Sequence, residues 1–344
     1  MTWIPLLLTD RSHCLRYLVL KKLLNKPDSD PEVKELQILR EFDPLVLEML
    51  NLQRENGAWD SFGMTIVGKT ENIYITSLVL QRLGYLGFDD KYSFIQNAAE
   101  YLFSKQEEDG SWPIPNKNLL SDDEQGYQMM PVQTAIPLLG LAMSGYGLDE
   151  RSEKAYEWLL AQRLDDGAWP VGISAGNYGG IAGYRRLAHS RWGCRSNTTA
   201  ALTCLAYHPK RKNSGEAKKA LDLILSTDMK LRTSMGFNIA RLMGLEKSIG
   251  MITFMAKFDI AHLLNLCWRI GASVEDSRVK NFIEFVIEEK TKYGMWTYKP
   301  QPSASKWLTY DLLLSLSQLD EKIEWMSQEP PTPFKAYPTK LKRF

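Results

Sequence analysis

The sequence predicts an all-α protein whose helical hairpins close into a ring. Three observations support this: a repeated turn motif, the alternation of two kinds of helix, and the spacing of the repeats. The motif is complete at Gln106–Trp112 (QEEDGSW), and related segments stand at 53–59 (QRENGAW) and 162–169 (QRLDDGAW). Only its tail survives at Gly294-Met295-Trp296, and Gly236-Phe237 is a further eroded copy. The chain is therefore built from repeats.

Each copy of the motif is expected to end one helix and turn the chain. Acidic residues and glycine stop a helix, the tryptophan packs back onto the wall, and the glutamine side chain bonds loose backbone groups. We therefore interpret these residues as structural rather than catalytic. The residues in question are Gln53, Trp59, Gln106, Trp112, Gln162 and Trp169.

The predicted helices pair in order along the chain, beginning with Asp10–Leu24 and Pro44–Gln53 and ending with the single helix Lys306–Leu319. Between them two patterns alternate. The first is apolar nearly all round, which predicts burial on both sides; it covers Asn72–Leu86, Val132–Met143, Thr198–Ala206 and Ile260–Ile270. The second carries a charged face toward solvent and covers Lys91–Lys105, Glu150–Gln162, Gly215–Ser226 and Ser277–Lys290. An inner and an outer ring of about six helices each follow.

The repeat spacing distinguishes a closed ring from an open solenoid. Glycine of the motif recurs after 53 residues between Gly57 and Gly110, and after 57 more at Gly167. Solenoids of helix pairs repeat every ~33–47 residues. Longer repeats with buried inner helices favour a closed α/α toroid. Its mouth is expected at the N-terminal ends of the inner helices, where loops stay solvated.

Composition limits the function and the location. With 344 residues, 44% hydrophobic, and a formal charge of +1, the chain can bury a large core but gives no electrostatic basis for binding nucleic acid or acidic membranes. No run approaches the ~20 apolar residues of a membrane span, and no signal peptide is expected. Four unpatterned cysteines favour a reducing cytoplasm. We expect one domain over 1–320 and a Pro/Lys-rich tail over 321–344.

The pattern of Gln, three or four residues, Gly, one residue and Trp resembles the repeat of the terpene cyclase and protein prenyltransferase superfamily, over roughly residues 10–320. The resemblance implies an (α/α)6 toroid with a hydrophobic cavity for isoprenoid chains. The DxDD motif of squalene-type cyclases is absent from this sequence. Its nearest acidic cluster, Asp122-Asp123-Glu124, is interpreted as a solvated loop, and 344 residues provide one of the two helical domains of such cyclases.

The protein prenyltransferase β subunit is the closer comparison, and it implies a zinc site and a partner α subunit. That family holds zinc by an Asp two residues before a Cys, by the Cys, and by a later His. Here Cys194 and His262, within Asp259-Ile260-Ala261-His262, match the last two, while Trp192 replaces the Asp. The implied catalytic residues are Cys194, His262 and Asp259, and Asp259 or His189 is the third metal ligand. Alternatively, Cys194 is a small apolar residue and His262 a hydrogen-bonded helix residue.

A glycine-rich loop, Val171–Ser196, is expected at the mouth. Its segment Gly179–Arg186 (GGIAGYRR) resembles the diphosphate-binding segment of prenyltransferases. The resemblance implies diphosphate binding by Arg185 and Arg186 together with Arg195, since guanidinium groups suit bidentate anion recognition. A solvated basic loop is the alternative.

Aromatic residues at helical spacing are candidates for the cavity lining or for ordinary packing. They are Tyr74, Trp192, Trp268, Trp307 and Tyr310. Asp311, near the start of the last apolar helix, is either a cavity acid or a structural partner of a neighbouring Lys or Arg.

Three functions follow from these patterns. The first is an isoprenoid-binding toroid with transferase or cyclase activity. The second is a non-catalytic binding or scaffold protein that kept the toroid and lost the chemistry. The third is a carbohydrate-active barrel, but the sequence shows no carboxylate pair placed at the mouth, as such an enzyme needs.

Overall fold

The computed structural model describes residues 3–60, 72–112, 130–171, 185–226, 234–246, 255 and 257–319, and all regular structure within them is helical. The helices are α1 (Trp3–Leu8), α2 (His13–Leu18), α3 (Pro31–Leu39), α4 (Pro44–Leu50), α5 (Asn72–Tyr85), α6 (Ser93–Phe103), α7 (Pro131–Leu141), α8 (Glu150–Ala161), α9 (Arg195–Tyr207), α10 (Gly215–Leu225), α11 (Phe237–Leu242), α12 (Ile260–Ile270), α13 (Ser277–Glu288) and α14 (Ser305–Leu319). The two β-type contacts are isolated bridges. None of the helices in these ranges is long and apolar enough to cross a membrane.

The apolar helices form an inner ring. In the described residues α5 packs on α7, α7 on α9, α9 on α12, and α12 on α14, which packs on the wide turn Val19–Leu23 after α2. Arg40 completes the circle, because its guanidinium donates to the carbonyls of Leu86 and Gly87 just after α5 and lies 4.2 Å from the ring centroid of Tyr17. The all-α toroid predicted from the sequence is confirmed.

Amphipathic helices α6, α8, α10 and α13 pack outside this ring. Each buries one stripe and leaves its charged face toward solvent; α6, for example, buries Ile95, Ala98, Ala99, Leu102 and Phe103. The inner helices α7 and α9 are buried all round instead. The two helical patterns in the sequence therefore report the two layers correctly.

The turn motif joins the two layers by the same two contacts in each of four described copies. The indole Nε1–H of each tryptophan donates to a carbonyl ten residues earlier, at the end of an outer helix, and its backbone N–H donates to a threonine hydroxyl on the next inner helix. The indole pairs are Trp59–Met49, Trp112–Leu102, Trp169–Leu159 and Trp296–Val286, at 2.6–2.8 Å. The threonines are Thr76, Thr134, Thr198 and Thr309, at 3.0–3.1 Å.

Glycine and glutamine complete the motif. Gly57 has φ +83°, and a Cβ there would lie 2.2 Å from the carbonyl oxygen of Asn97, so only glycine fits. Gln106 Nε2 donates to the carbonyls of Gly110 and Arg151, both at 2.9 Å, and Gln53 makes the equivalent pair of bonds. The structural interpretation of these glutamines and of the three tryptophans is confirmed.

The sequence analysis missed three of the described helices, α1, α3 and α11. Helix α3 lies where a polar connection was expected, and Asp30 caps it by accepting from the amides of Glu32 and Val33. Helix α11 directly follows Gly236, where the eroded copy of the turn motif lies, and it buries Phe237, Ile239, Ala240 and Arg241. Several expectations lie outside the described residues: the cluster Asp122-Asp123-Glu124, most of the glycine-rich loop, and the tail 321–344. The domain boundary at 320 stays a prediction.

Candidate functional site

A small cavity of about 60 Å³ lies inside the ring. Its wall comes from the C-terminal halves of α5, α7 and α9, from the first half of α12, from α14, and from α11. The residues that line it are Leu78, Gln81, Tyr85, Leu139, Met143, Thr203, Tyr207, Asn238, Ile239, Arg241, Leu242, Met255, Ala261, His262, Asn265 and Asp311. The lining thus lies mainly in the C-terminal halves of the first three inner helices. The segments 61–71, 113–129 and 172–184, which precede these helices, lie outside the described residues, so the mouth expected at the N-terminal ends stays a prediction.

Asp311 is the carboxylic acid of the cavity lining. It lies in the middle of α14, only 7% exposed, and Asn265 Nδ2 donates to its Oδ1 at 3.4 Å. Burial raises the pKa of this carboxyl to about 7, with the charge of Asp259 acting in the same direction and Arg269 opposing it. The sequence left Asp311 as either a cavity acid or a structural partner, and the structure places it at the cavity.

Tyr85 lines the same cavity as this acid and packs against two further aromatic rings. The ring of Tyr85 lies with its centroid 6.2 Å from those of both Trp307 and Tyr310. Burial raises the pKa of the Tyr85 hydroxyl well above its usual value, and the Asp311 charge adds to this effect. Arg269 holds Asn265 in place, because its Nε donates to Asn265 Oδ1 at 2.8 Å. The site thus combines a carboxyl that is readily protonated near neutral pH with aromatic walls.

His262 lines the same cavity in its neutral form. Its Nε2 lies 3.3 Å from Thr203 Oγ1, and the Thr203 hydroxyl donates to the carbonyl of Thr199 at 2.7 Å. Since the hydroxyl proton is used, His262 must donate from Nε2. Burial, with the Arg269 charge, lowers the pKa of His262 to about 4.

Asp259 is a helix cap, and its expected catalytic and metal roles do not fit its contacts. Its carboxylate accepts from the backbone N–H groups of Ala261 and His262 at the start of α12, and from those of Gly236 and Asn238 at the start of α11. It is 3% exposed. The carboxylate therefore ties α11 to α12, and burial raises its pKa despite these bonds.

Cys194 and His262 do not face each other as the sequence suggested. Cys194 is the N-cap residue of α9, and its backbone N–H donates to the Trp169 carbonyl at 2.8 Å. His262 instead contacts Thr203, which lies nine residues further along the chain in α9. At 1.5 Å per residue, that separation is roughly 13 Å along the helix axis. Cys194 is fully buried and His189 exposed.

The prenyltransferase resemblance implies a zinc ion held by Cys194, His262 and a third ligand. A catalytic zinc needs three protein ligands. Within the described ranges, no three His, Cys, Asp or Glu side chains come together in a way that could hold a metal ion. These residues therefore do not fit a zinc ion.

The arginines expected to bind diphosphate lie at the other end of α9. Arg185 is buried, Arg186 is exposed and pairs with Cys194 in an isolated bridge, and Arg195 opens the helix. Burial lowers the pKa of Arg195. These three arginines and Trp192, which is half-buried, are not part of the cavity lining.

The expected aromatic lining was placed imprecisely. Trp307 and Tyr310 stand behind Tyr85 rather than at the cavity surface. Tyr74 accepts a hydrogen bond from Arg241 on α11, and Trp268 lies 4.4 Å from the Arg269 guanidinium, away from the lining. The lining residues that the sequence analysis missed include Tyr85, Asn265 and Ile239. A polar residue inside an apolar inner helix, such as Asn265 in α12, was the signal that could have found them.

Comparisons with known proteins bear on the first half of the chain. Residues 38–182 match the family model of the squalene-hopene cyclase C-terminal domain. The squalene–hopene cyclase of Zymomonas mobilis is 31% identical over 147 residues, which cover 42% of this chain and 21% of that protein. Lanosterol synthase erg7A of Aspergillus fumigatus is 28% identical over 145 residues, covering 40% and 18%. Residues 38–182 of this chain are thus similar in sequence to terpene cyclases.

This chain spans about a fifth of the length of the curated proteins that it matches. Among solved structures, the type II terpene cyclase MstE from Scytonema, in its D109N form, aligns over 80% of this chain and 95% of that chain at 15% identity and a TM-score of 0.35. A protein from Actinoplanes aligns over 80% and 97% at 14% identity with the same score. The matched segment ends before α9, so Asp311 and His262 lie outside it.

Proposed function

We propose that this chain binds an isoprenoid at the ring centre and that Asp311 acts on it as an acid and base. The observation that carries the proposal is a buried carboxyl with a pKa of about 7, next to Tyr85 and behind it Tyr310. A general acid works best when its pKa lies near the working pH. The relatives named above, a squalene–hopene cyclase and a lanosterol synthase, support an isoprenoid as the ligand.

The chemistry needs one proton from Asp311. The O–H bond of the carboxylic acid breaks, the alkene electron pair forms a new C–H bond, and the neighbouring carbon becomes a carbocation. Faces of aromatic rings such as Tyr85 stabilise that cation. The Asp311 carboxylate, which accepts from Asn265, then removes a proton from an adjacent carbon, and a new alkene forms. The acid is thereby regenerated.

The test is product formation with squalene, farnesol and farnesyl diphosphate, followed by gas chromatography and mass spectrometry. An Asp311→Asn variant keeps the shape of the side chain but carries no ionisable proton. We expect it to lose product formation by ~10²–10⁴-fold, while isoprenoid binding persists. Asp222→Asn, on the exposed side of α10, is the matched control and should keep full activity. Equal activity of wild type and Asp311→Asn would contradict the proposal.

Diphosphate binding by Arg185, Arg186 and Arg195 stays a separate prediction. Arg195 lies eight residues before Thr203 on α9, or roughly 12 Å along the helix. A diphosphate held there would have to connect to the cavity through a chain of that length. Farnesyl diphosphate that binds no more tightly than farnesol would remove this part of the proposal alone.

A non-catalytic binding or scaffold role is the second candidate. The size of the cavity favours it, because about 60 Å³ is far below the ~300–1,000 Å³ of usual ligand pockets. In that case neither squalene nor the farnesyl compounds would yield products, and Asp311→Asn would change no measured property but stability.

A further inference from the structure

Helix α11 crosses the interior of the ring. It packs against α5, α12 and α14 at once. In the order of the inner ring, α5 is not a neighbour of either α12 or α14, so α11 bridges helices that lie apart in the ring. Its residues Asn238, Ile239, Arg241 and Leu242 line the central cavity. Its residues Phe237, Ile239, Ala240 and Arg241 are buried accordingly. α11 therefore fills the space that a hollow toroid would leave open.

Polar contacts hold α11 in this position. Arg82 on α5 donates to the carbonyl of Leu242, and Arg241 donates to the hydroxyl of Tyr74. At the other end the Asp259 carboxylate accepts from the amides of Gly236 at 3.1 Å and Asn238 at 2.6 Å. Apolar contacts add to these hydrogen bonds, because Ile239 belongs to the hydrophobic core and Leu242 packs against it, while both side chains also line the cavity.

The remaining cavity cannot take an isoprenoid chain. An engineered apolar cavity of about 150 Å³ admits benzene, and the cavity here measures about 60 Å³. A chain of several five-carbon units needs more space than benzene. Displacing a helix of six residues would supply space in the ring centre, between apolar walls such as Leu78, Leu139 and Met255.

We propose that the space α11 occupies is the binding groove for an extended apolar chain, and that α11 leaves this space when such a ligand binds. The proposal rests on the proposed function, since it concerns the isoprenoid of the same site. The chain would lie between α5, α12 and α14, with its reacting carbons beside Asp311. Ligand and α11 compete for one volume, so the affinity depends on how firmly α11 is seated.

Two glycines flank α11 and provide the hinges. Gly236 has φ +99° and Gly244 has φ +70°. A Cβ at Gly244 would lie 2.2 Å from the Arg82 guanidinium. A Gly244→Ala substitution would therefore push Arg82 away from Leu242 and break one of the contacts that seat the helix.

The chain offers a matched control for this substitution. Gly271, at the end of α12, has φ +81°, and a Cβ there meets nothing within 4 Å. Gly271→Ala thus carries similar backbone strain without the clash. The difference in behaviour between the two variants therefore reports the effect of losing the Arg82–Leu242 contact.

The experiment measures hydrogen–deuterium exchange of residues 237–242 and the binding of farnesol as the apolar probe. We expect exchange to rise at least tenfold in Gly244→Ala but not in Gly271→Ala, and farnesol to bind Gly244→Ala at least fivefold more tightly than wild type. In wild type, farnesol should accelerate the exchange of 237–242. If Gly244→Ala does not fold, Tyr74→Phe removes the Arg241 contact instead and should act in the same direction.

The outcomes separate the two proposals. Farnesol that binds while 237–242 stays protected would overturn the groove proposal alone, because ligand and helix would then coexist. The same holds if exchange rises in Gly244→Ala but farnesol affinity does not. Farnesol that binds none of the proteins would overturn the proposed function, and the groove with it.

Discussion

The side-chain amide of Asn265 donates to the Asp311 carboxylate across 3.4 Å in the interior of the ring. Arg269 in turn donates to the Asn265 oxygen, so the positive charge reaches the acid through an amide rather than by direct contact. No cation forms a salt bridge with this carboxyl within the described residues. Burial therefore raises its pKa to about 7. Four predictions follow from this site and from the walls around it.

Stability should fall with rising pH because of Asp311. Its pKa is about 7 in the folded chain against an ordinary 3.8, so between these values the folded state holds a proton that the unfolded state has lost. The favourable contribution is complete below pH 3.8 and is lost as pH rises to 7. Asp311→Asn has no such titration. Its free energy of unfolding, relative to that of wild type, should therefore rise by about 2–3 kcal/mol from pH 5 to pH 8. Urea unfolding at pH 5 and pH 8 measures this change. A stability difference between the two proteins that is the same at both pH values would contradict the raised pKa of Asp311.

His262 should act in the opposite direction. Its pKa is about 4 when folded against 6.5 ordinarily, so the unfolded state binds the extra proton and stability falls as pH drops from 6.5 to 4. In wild type the two slopes offset each other between pH 4 and 6.5. His262→Gln keeps a hydrogen-bond donor for Thr203. Its free energy of unfolding, relative to that of wild type, should rise by on the order of 2 kcal/mol as the pH falls from 7.5 to 4.5. Identical acid sensitivity of both proteins would show that the imidazole is not buried neutral.

Thr134→Val should destabilise the ring wall. Valine has the shape of threonine, but it cannot accept the Trp112 amide, which now donates to Thr134 Oγ1 at 3.1 Å. A buried N–H left without a partner costs about 1–3 kcal/mol. Thermal unfolding measures the loss. Thr9→Val, which removes an exposed hydroxyl, is the control and should change stability by less than about 0.5 kcal/mol.

Metal analysis should find no stoichiometric zinc. Asp259 is fully used as a cap, and Cys194 and His262 meet different parts of α9. Purified protein, dialysed against buffer with trace zinc, is assayed by plasma emission. About one zinc per chain that is lost in Cys194→Ala would restore the prenyltransferase interpretation, which the geometry of these three residues does not support.

The sequence predicted the walls of the ring more accurately than its interior. Helices such as α5 and α6 came within a few residues because their burial shows as periodicity, and Gly57 and Trp112 reported the turns because few other residues can take that backbone or that contact. Helix α11 was missed because a six-residue helix has too little periodicity to detect. Pairing across the interior, such as Asn265 with Asp311, depends on how far neighbouring helices slide along one another, which residue types do not encode.

The tryptophan turns have a consequence for how such a protein can change. All four tryptophans lie in the seams between the two layers, and none borders the cavity. The residues that stabilise the wall are therefore different from the residues that would contact a ligand. Substitutions can therefore change the residues inside the ring, and with them the size of the cavity, while the contacts that stabilise the fold are kept.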